Sequence, residues 1–327
     1  MRRRGTVVLA TSLAFLLSAV SVEAAPTRAG YEARIDRLSE QISRLDEDYN
    51  HARVELARVQ RQVQETKRLK EVADQRLKSL RTTASARAAA AYRVGLPNIL
   101  LILFGSTNIS DFNKKLGIAA RVGDWESGVV TDLRIAARRS DERGRQLQRE
   151  LARAKAISES IAEKRDQLKG QVEEQERLLR GLTAPQLARR RQAVEVKVVR
   201  PPSAIPQLPM SGGARAAVQT AHSLIGRPYQ WGGSGPGSFD CSGLTAYAWR
   251  AAGVSLPHSS RAQYAATQRV SREDLQPGDL VFFGRPIHHV GLYIGGGNMI
   301  NSPQTGETVA IRSIARRDYV GAGRPGV

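Results

Sequence analysis

No apolar run in this chain reaches the ~20 residues that a membrane-spanning helix needs. The longer candidate, from Val7 to Val20, follows Met1-Arg2-Arg3-Arg4 and leads to Val22, Ala24 and Ala25. A basic start, a short apolar stretch and small residues predict a secretory signal peptide over residues 1–24, cut after Ala24. Cysteine is almost absent as well. The single residue, Cys241, excludes an internal disulfide, and no cysteine near the cleavage site offers a lipid anchor. A lone thiol in an exported chain points to a reactive role. Aromatic residues make up only 5% of the sequence, too few for one large core, and they crowd toward the C-terminus. Acidic residues are outnumbered, giving a net charge of +19. The excess is arginine dispersed along helical repeats, not a compact patch interleaved with aromatics, which argues against nucleic acid. For an exported chain, the polyanions at hand are wall polymers, peptidoglycan carboxylates and membrane headgroups.

What is present divides the sequence in three. From Ile35 the apolar positions step by three and four through Leu38, Ile42, Leu45, Tyr49, Ala52, Leu56, Val59 and Val63, then Ala73, Leu77, Leu80 and Ala84. This is a heptad seam weakened at Thr66 and Lys70. A second seam through Leu133, Ala137, Leu147, Leu151, Ala154, Ile161, Leu168, Val172, Leu179 and Leu182 is interrupted at Ser140, Gly144, Ser158, Arg165 and Gln175. Together they predict an all-α antiparallel coiled-coil hairpin over 25–182. With about 55 residues per arm at 1.5 Å each, the rod is on the order of 80 Å long. Its tip, near 94–112, holds the apolar stretch Leu96 to Phe104, either a cap on the rod or a docking point for a membrane protein. Residues 183–213, with Pro185, Pro201, Pro202, Pro206, Pro209 and the Arg189-Arg190-Arg191 run, read as an extended, flexible linker. Residues 214–327 are enough for one small α+β domain.

That last segment carries the chemistry. In Phe239-Asp240-Cys241-Ser242-Gly243-Leu244, Asp240 is a helix N-cap, which puts Cys241 in the first turn; Gly253 is a natural stop. Free N–H groups and the partial positive charge there favour thiolate over thiol. A base must come from His51, His222, His258, His288 or His289. His51 falls in the coiled coil, and His222 and His258 fit satisfied surface or core positions. His288 and His289 open a strand in which Val290, Leu292 and Ile294 alternate with Gly291 and Tyr293. The alternation puts His289 on the Gly291 face, where a small neighbour leaves room for the cysteine helix. The few histidines form no metal-ligand spacing, so neither a metal nor an organic cofactor is expected.

The segments Pro228-Tyr229-Gln230-Trp231-Gly232-Gly233, Phe239 to Gly243, Leu256-Pro257-His258-Ser259-Ser260, Pro277-Gly278-Asp279-Leu280 and His289 to Gly295, in this order, resemble the NlpC-type cell-wall cysteine peptidases of the papain-like superfamily. The resemblance implies a papain-like domain with an antiparallel sheet, and hydrolysis of the peptidoglycan stem peptide between D-isoglutamate and the following diamino acid. It further implies Cys241 as nucleophile, His289 as base, and Asn301, where many relatives have histidine, as the residue orienting the imidazole through its amide oxygen. Tyr229, Asp240, Ser242 and Ser260 are the implied substrate contacts, and the Cys241 backbone N–H an oxyanion donor. The segment Ala91-Tyr92-Arg93-Val94-Gly95, with Leu100 to Phe104 and Ile109-Ser110-Asp111-Phe112, is similar to the coiled coil of wall hydrolases controlled by the FtsEX membrane complex. That complex is the partner this resemblance implies, beside peptidoglycan, with action outside the cytoplasm. The competing expectations are a non-catalytic wall-binding or activator module that keeps the fold, and a papain-like acyltransferase or amidase acting on another amide.

Overall fold

The computed structural model describes residues 28–94, 109–197 and 212–326. The expected signal peptide, nearly all of the apolar tip and Pro201 to Pro209 lie outside the described residues.

Two long helices come first, α1 (Arg28–Val94) and α2 (Ile109–Arg180). They run antiparallel: Arg34 pairs with Glu174, Glu55 with Arg153, and Asp74 with Ser140. The arms have 67 and 72 residues, about 100 Å each at 1.5 Å per residue, longer than the seams alone suggested. Ile35, Ile42, Val59 and Leu168 are fully or almost fully buried. Several of the breaks in the heptads find partners on the facing helix. Gln175 donates to Ser39 Oγ (2.6 Å), and Asp74 accepts from both Ser140 Oγ and Lys70 Nζ (2.5 Å each). Lys70 in turn lies against Gly144. Polar seam positions that find partners across the interface fix register at some cost in stability.

The expectation of an extended linker from residue 183 is corrected by a third helix, α3 (Ala184–Lys197). Thr183 starts it: its backbone N–H and its hydroxyl both donate to Gln186 Oε1 (2.6 and 2.8 Å), a variant of the capping box. Pro185 sits in the first turn, where its missing N–H costs nothing. Leu187 packs on Ile35, Leu178 and Leu182, and Arg190 pairs with Asp36 at 2.9 Å. This part of the segment is therefore folded back on the rod.

The C-terminal domain has helices α4 (Gly212–Ser223), α5 (Cys241–Arg250) and α6 (Ser260–Ala266). Its strands are β1 (Gln268–Val270), β2 (Leu280–Phe283), β3 (His289–Gly295), β4 (Asn298–Asn301), β5 (Ala310–Ser313) and β6 (Tyr319–Arg324). The strands form one antiparallel sheet in the order β1-β6-β2-β3-β4-β5. Alternation splits the side chains between two cores. Leu280, Phe282, Val290, Leu292, Ile294 and Ile300 pack under α4 and α5, whereas Val281, Phe283, Met299, Ile314 and Ala322 form a smaller cluster on the other face. Phe282 is fully buried, worth about 2 kcal/mol of apolar transfer. β3 turns into β4 through Gly295, Gly296 and Gly297, whose φ angles of +93°, +60° and +74° only glycine adopts without strain.

Candidate active site

α5 starts as its sequence dictates. Asp240 is extended, accepts the Gly243 N–H at 2.6 Å and so caps the helix. Cys241 is its first residue. Gly243 is required by close approach: a Cβ there would lie 2.0 Å from the Gly233 carbonyl oxygen. The second cap, Ser259, accepts the Ala262 N–H and starts α6. Ser260 Oγ then lies 3.5 Å from Cys241 Sγ.

On the sheet, His289 begins β3 and Asn301 ends β4. Asn301 Nδ2 lies 2.7 Å from His289 Nε2, and Asn301 Oδ1 accepts from Arg312 Nη1 at 3.1 Å. The amide oxygen therefore faces Arg312 and the NH2 group faces the imidazole, the reverse of the orientation expected from sequence. His288 points elsewhere: its Nδ1 meets the Pro286 carbonyl (2.9 Å) and its Nε2 lies 3.1 Å from Glu40. Contrary to the expectation from strand alternation, the Gly291 face of β3 does not receive the cysteine helix. The space beside Gly291 is filled by Met299 and the Cβ of Asn301, while α5 packs on the opposite face, against Val290 and Leu292. Gly291 makes room for the β4 residues next to His289, not for the cysteine helix.

The remaining expected contacts are buried together. Tyr229 is 9% exposed, and Asp240 and Ser242 are fully buried, with Ser242 Oγ donating to Asp240 Oδ1 at 3.1 Å. His258, treated in sequence as a bystander, sits with Nε2 2.6 Å from Asp240 Oδ2.

What sequence reasoning missed is the occupant of this site. One face of α1 enters it. Asp46 accepts from Tyr229 OH (2.9 Å) and from the Gly232 N–H (3.1 Å), and Asn50 Nδ2 donates to Asp240 Oδ2 (3.0 Å). Glu47 accepts from Ser259 Oγ (2.6 Å) and from the N–H groups of Ser260 (2.7 Å) and Arg261 (3.0 Å). At the rim, Asp48 pairs with Arg261 at 2.7 Å, and the Tyr49 and Trp231 rings meet edge to face at 5.6 Å. Asp46, Glu47 and Asn50 are at most 3% exposed. A cleft of about 540 Å³ stays open between α1 and the sheet, reaching His289, Asn301 and Arg312.

The electrostatics follow from this burial. Desolvation, then the charges of Asp240 and Asp46, hold the Cys241 thiol well above its ordinary range, against the small opposing effect of the Ser260 hydroxyl. Desolvation, then Arg316, His288 and Arg312, push His289 well below the usual imidazole value. Asp46 is raised by burial and by Asp240, and Glu47 by burial. The helix start alone favours thiolate, but with α1 in place burial and nearby carboxylates prevail. In this arrangement the site holds a neutral thiol and a neutral imidazole.

A covered thiol on a capped helix, a buried His–Asn pair on the adjoining sheet and five ordered motifs define a cysteine-hydrolase type of domain. Residues 226–321, most of the C-terminal domain, match the NlpC/P60 family. The chain is 36% identical to the NlpC/p60 domain of the peptidoglycan hydrolase SagA, over 34% of this chain and 97% of that one, with a TM-score of 0.32. A probable endopeptidase p60 of Listeria innocua is 50% identical over 93 residues, 28% of this chain and 20% of its own length. A probable endopeptidase of Mycobacterium tuberculosis is 46% identical over 120 residues, 35% of this chain and 31% of its own length. The matches thus span under a third of these curated relatives.

Proposed function

We propose that this protein is an exported peptidoglycan endopeptidase that cuts the stem peptide, between D-isoglutamate and the diamino acid, and that α1 holds it inactive until displaced. Cys241 is the nucleophile, attacking the carbonyl carbon to form an acyl-enzyme that water resolves, and His289 is the base that returns a proton to the leaving amine. Asn301 orients the ring. The observation that carries this reading is Cys241 at the capped start of α5 beside a sheet that buries the His289–Asn301 pair. The relatives' names, probable endopeptidase and peptidoglycan hydrolase, supply the substrate class.

Inhibition is supported by the Asp46–Glu47–Asn50 face, which occupies donors and acceptors at Tyr229, Gly232, Asp240, Ser259 and Ser260 that a bound peptide needs. A tethered helix needs little intrinsic affinity, because an intramolecular contact acts at an effective concentration of about millimolar. Export rests on the N-terminal pattern of residues 1–24. The FtsEX complex remains the partner implied by sequence resemblance for releasing the hairpin.

The test is digestion of purified peptidoglycan with residues 25–327 and with residues 211–327 at equal concentration, with fragments identified by mass spectrometry. New termini at the D-isoglutamyl bond, formed faster by the shorter chain, are expected. Fragments cut at another bond reject the specificity, and equal rates reject inhibition by α1.

A further inference from the structure

The Asn301 amide stands between an arginine and a histidine, and this placement determines where the imidazole can carry a proton. Arg312 has only donors, so the atom it meets at 3.1 Å must be the acceptor Oδ1 of Asn301. The NH2 group is then the one left to face His289 Nε2, at 2.7 Å. Two N–H groups cannot satisfy each other, so Nε2 must be the bare, accepting nitrogen of the ring. Arg312 is itself well anchored: it is 9% exposed and its Nη2 donates to Glu307 at 2.7 Å. Turning the Asn301 amide over would break the Arg312 bond and set two donors against each other in a fully buried place, where an unmade hydrogen bond is costly.

We propose that Arg312 is a positioning residue that sets the proton of His289: by holding Asn301 Oδ1 it makes Asn301 a donor to Nε2 and leaves the neutral ring protonated on Nδ1. An imidazolium carries N–H on both nitrogens and would meet the Asn301 NH2 head on. The clamp therefore opposes formation of the imidazolium, and productive turnover requires the amide to turn so that its oxygen accepts Nε2–H. Arg312 restrains the site from the sheet side, independently of the cover that α1 provides. The charged and titratable groups around the ring act in the same sense or are neutralised by partners. His288, Arg312 and Arg316 disfavour a second positive charge, while Glu40 is engaged by His288, Glu307 by Arg312, and Asp318 by Arg316. Phe283 on β2 lies tilted to the ring at 6.0 Å and carries no charge.

This inference takes from the proposed function only that His289 is the base, and its readout does not depend on turnover. The full chain labelled with ¹⁵N-histidine is measured by long-range ¹H–¹⁵N correlation, with His289 assigned by its loss in His289→Gln. Expected is the Nδ1–H form with Nε2 bare; an Nε2–H form in the unaltered protein overturns the proposal. Asn301→Asp keeps shape and the Arg312 partner but presents only acceptors, so the two ring nitrogens should exchange roles. Retention of Nδ1–H in that variant also overturns it. In the double variant Arg312→Met with Glu307→Gln, which leaves no orphaned carboxylate, the Nε2–H form should appear and the titration midpoint of His289 should rise. Arg312→Lys, which keeps a cationic donor, should retain the original form. Ring signals of the double variant identical to those of the unaltered protein remove Arg312 from this role.

Discussion

At the residue scale, the two adjacent histidines separate by what each touches. His289 is tied to Asn301, and His288 to Pro286 and to Glu40 of α1. His289→Ala should therefore abolish peptidoglycan hydrolysis, whereas His288→Ala should leave the full chain as active as before or more so, because it removes a contact holding α1. Muropeptide release followed over time distinguishes the two; equal loss in both would mean that the base has been misassigned. Cys241→Ala should also abolish hydrolysis, since no other thiol exists in the chain. Its thermal midpoint should stay within a few degrees, because the exchange removes one sulfur and creates only a small cavity, about 1 kcal/mol. Hydrolysis persisting in the Cys241→Ala protein would end the cysteine mechanism.

At the scale of elements, local rules carried far in α5. An Asp N-cap, an apolar face and a glycine stop are short-range signals, and Asp240, Leu244, Ala248 and Gly253 play those parts. The same physics makes Gly243 indispensable. Gly243→Ala should give little soluble folded protein, because the new Cβ meets backbone that cannot move aside. Circular dichroism melting compared with Ser242→Ala is the check, and a Gly243→Ala midpoint equal to that of Ser242→Ala would contradict the packing. The helical hairpin was legible too, since heptad periodicity is local. The helix α3 was not: proline and arginine runs near it suggested extension, and its stability comes from Leu187 and Arg190 packing on α1 and α2. Nor was the docking face of α1. Asp46, Glu47 and Asn50 are polar positions on a long charged helix, where ordinary solvation is the default reading. Only a partner almost 200 residues away in sequence makes them buried. Likewise, Arg312 could not be joined to Asn301 without the β4–β5 register.

At the scale of the whole molecule, the contact between hairpin and catalytic domain concentrates carboxylates out of water, and this makes it sensitive to pH. Asp46 and Asp240 lie on either side of Asn50, which donates to both. Burial and this like charge raise Asp46, and burial raises Glu47, when α1 is docked. Released into solvent, the same groups return to the ordinary carboxylate value of about 4. A group whose docked pKa is raised favours docking fully below its free value, and that contribution fades as pH rises through the docked value. The hairpin should thus hold most firmly in acid and loosen as pH rises above the ordinary carboxylate range. The effect is read as the ratio of hydrolysis by residues 211–327 to hydrolysis by residues 25–327, taken at each pH so that titration of the catalytic groups common to both divides out. That ratio should fall as pH rises. In Asp46→Asn with Glu47→Gln, which keeps shape and removes both ionisations, the ratio should lose most of its slope. A ratio that climbs with pH, or one whose slope survives the double substitution, would place the control of docking elsewhere, in the ion pairs of Asp48 with Arg261 and of Glu40 with His288. Ionic strength then discriminates, because those rim pairs are partly solvent-exposed and weaken in salt, whereas the buried Asp46 and Glu47 bonds are screened far less.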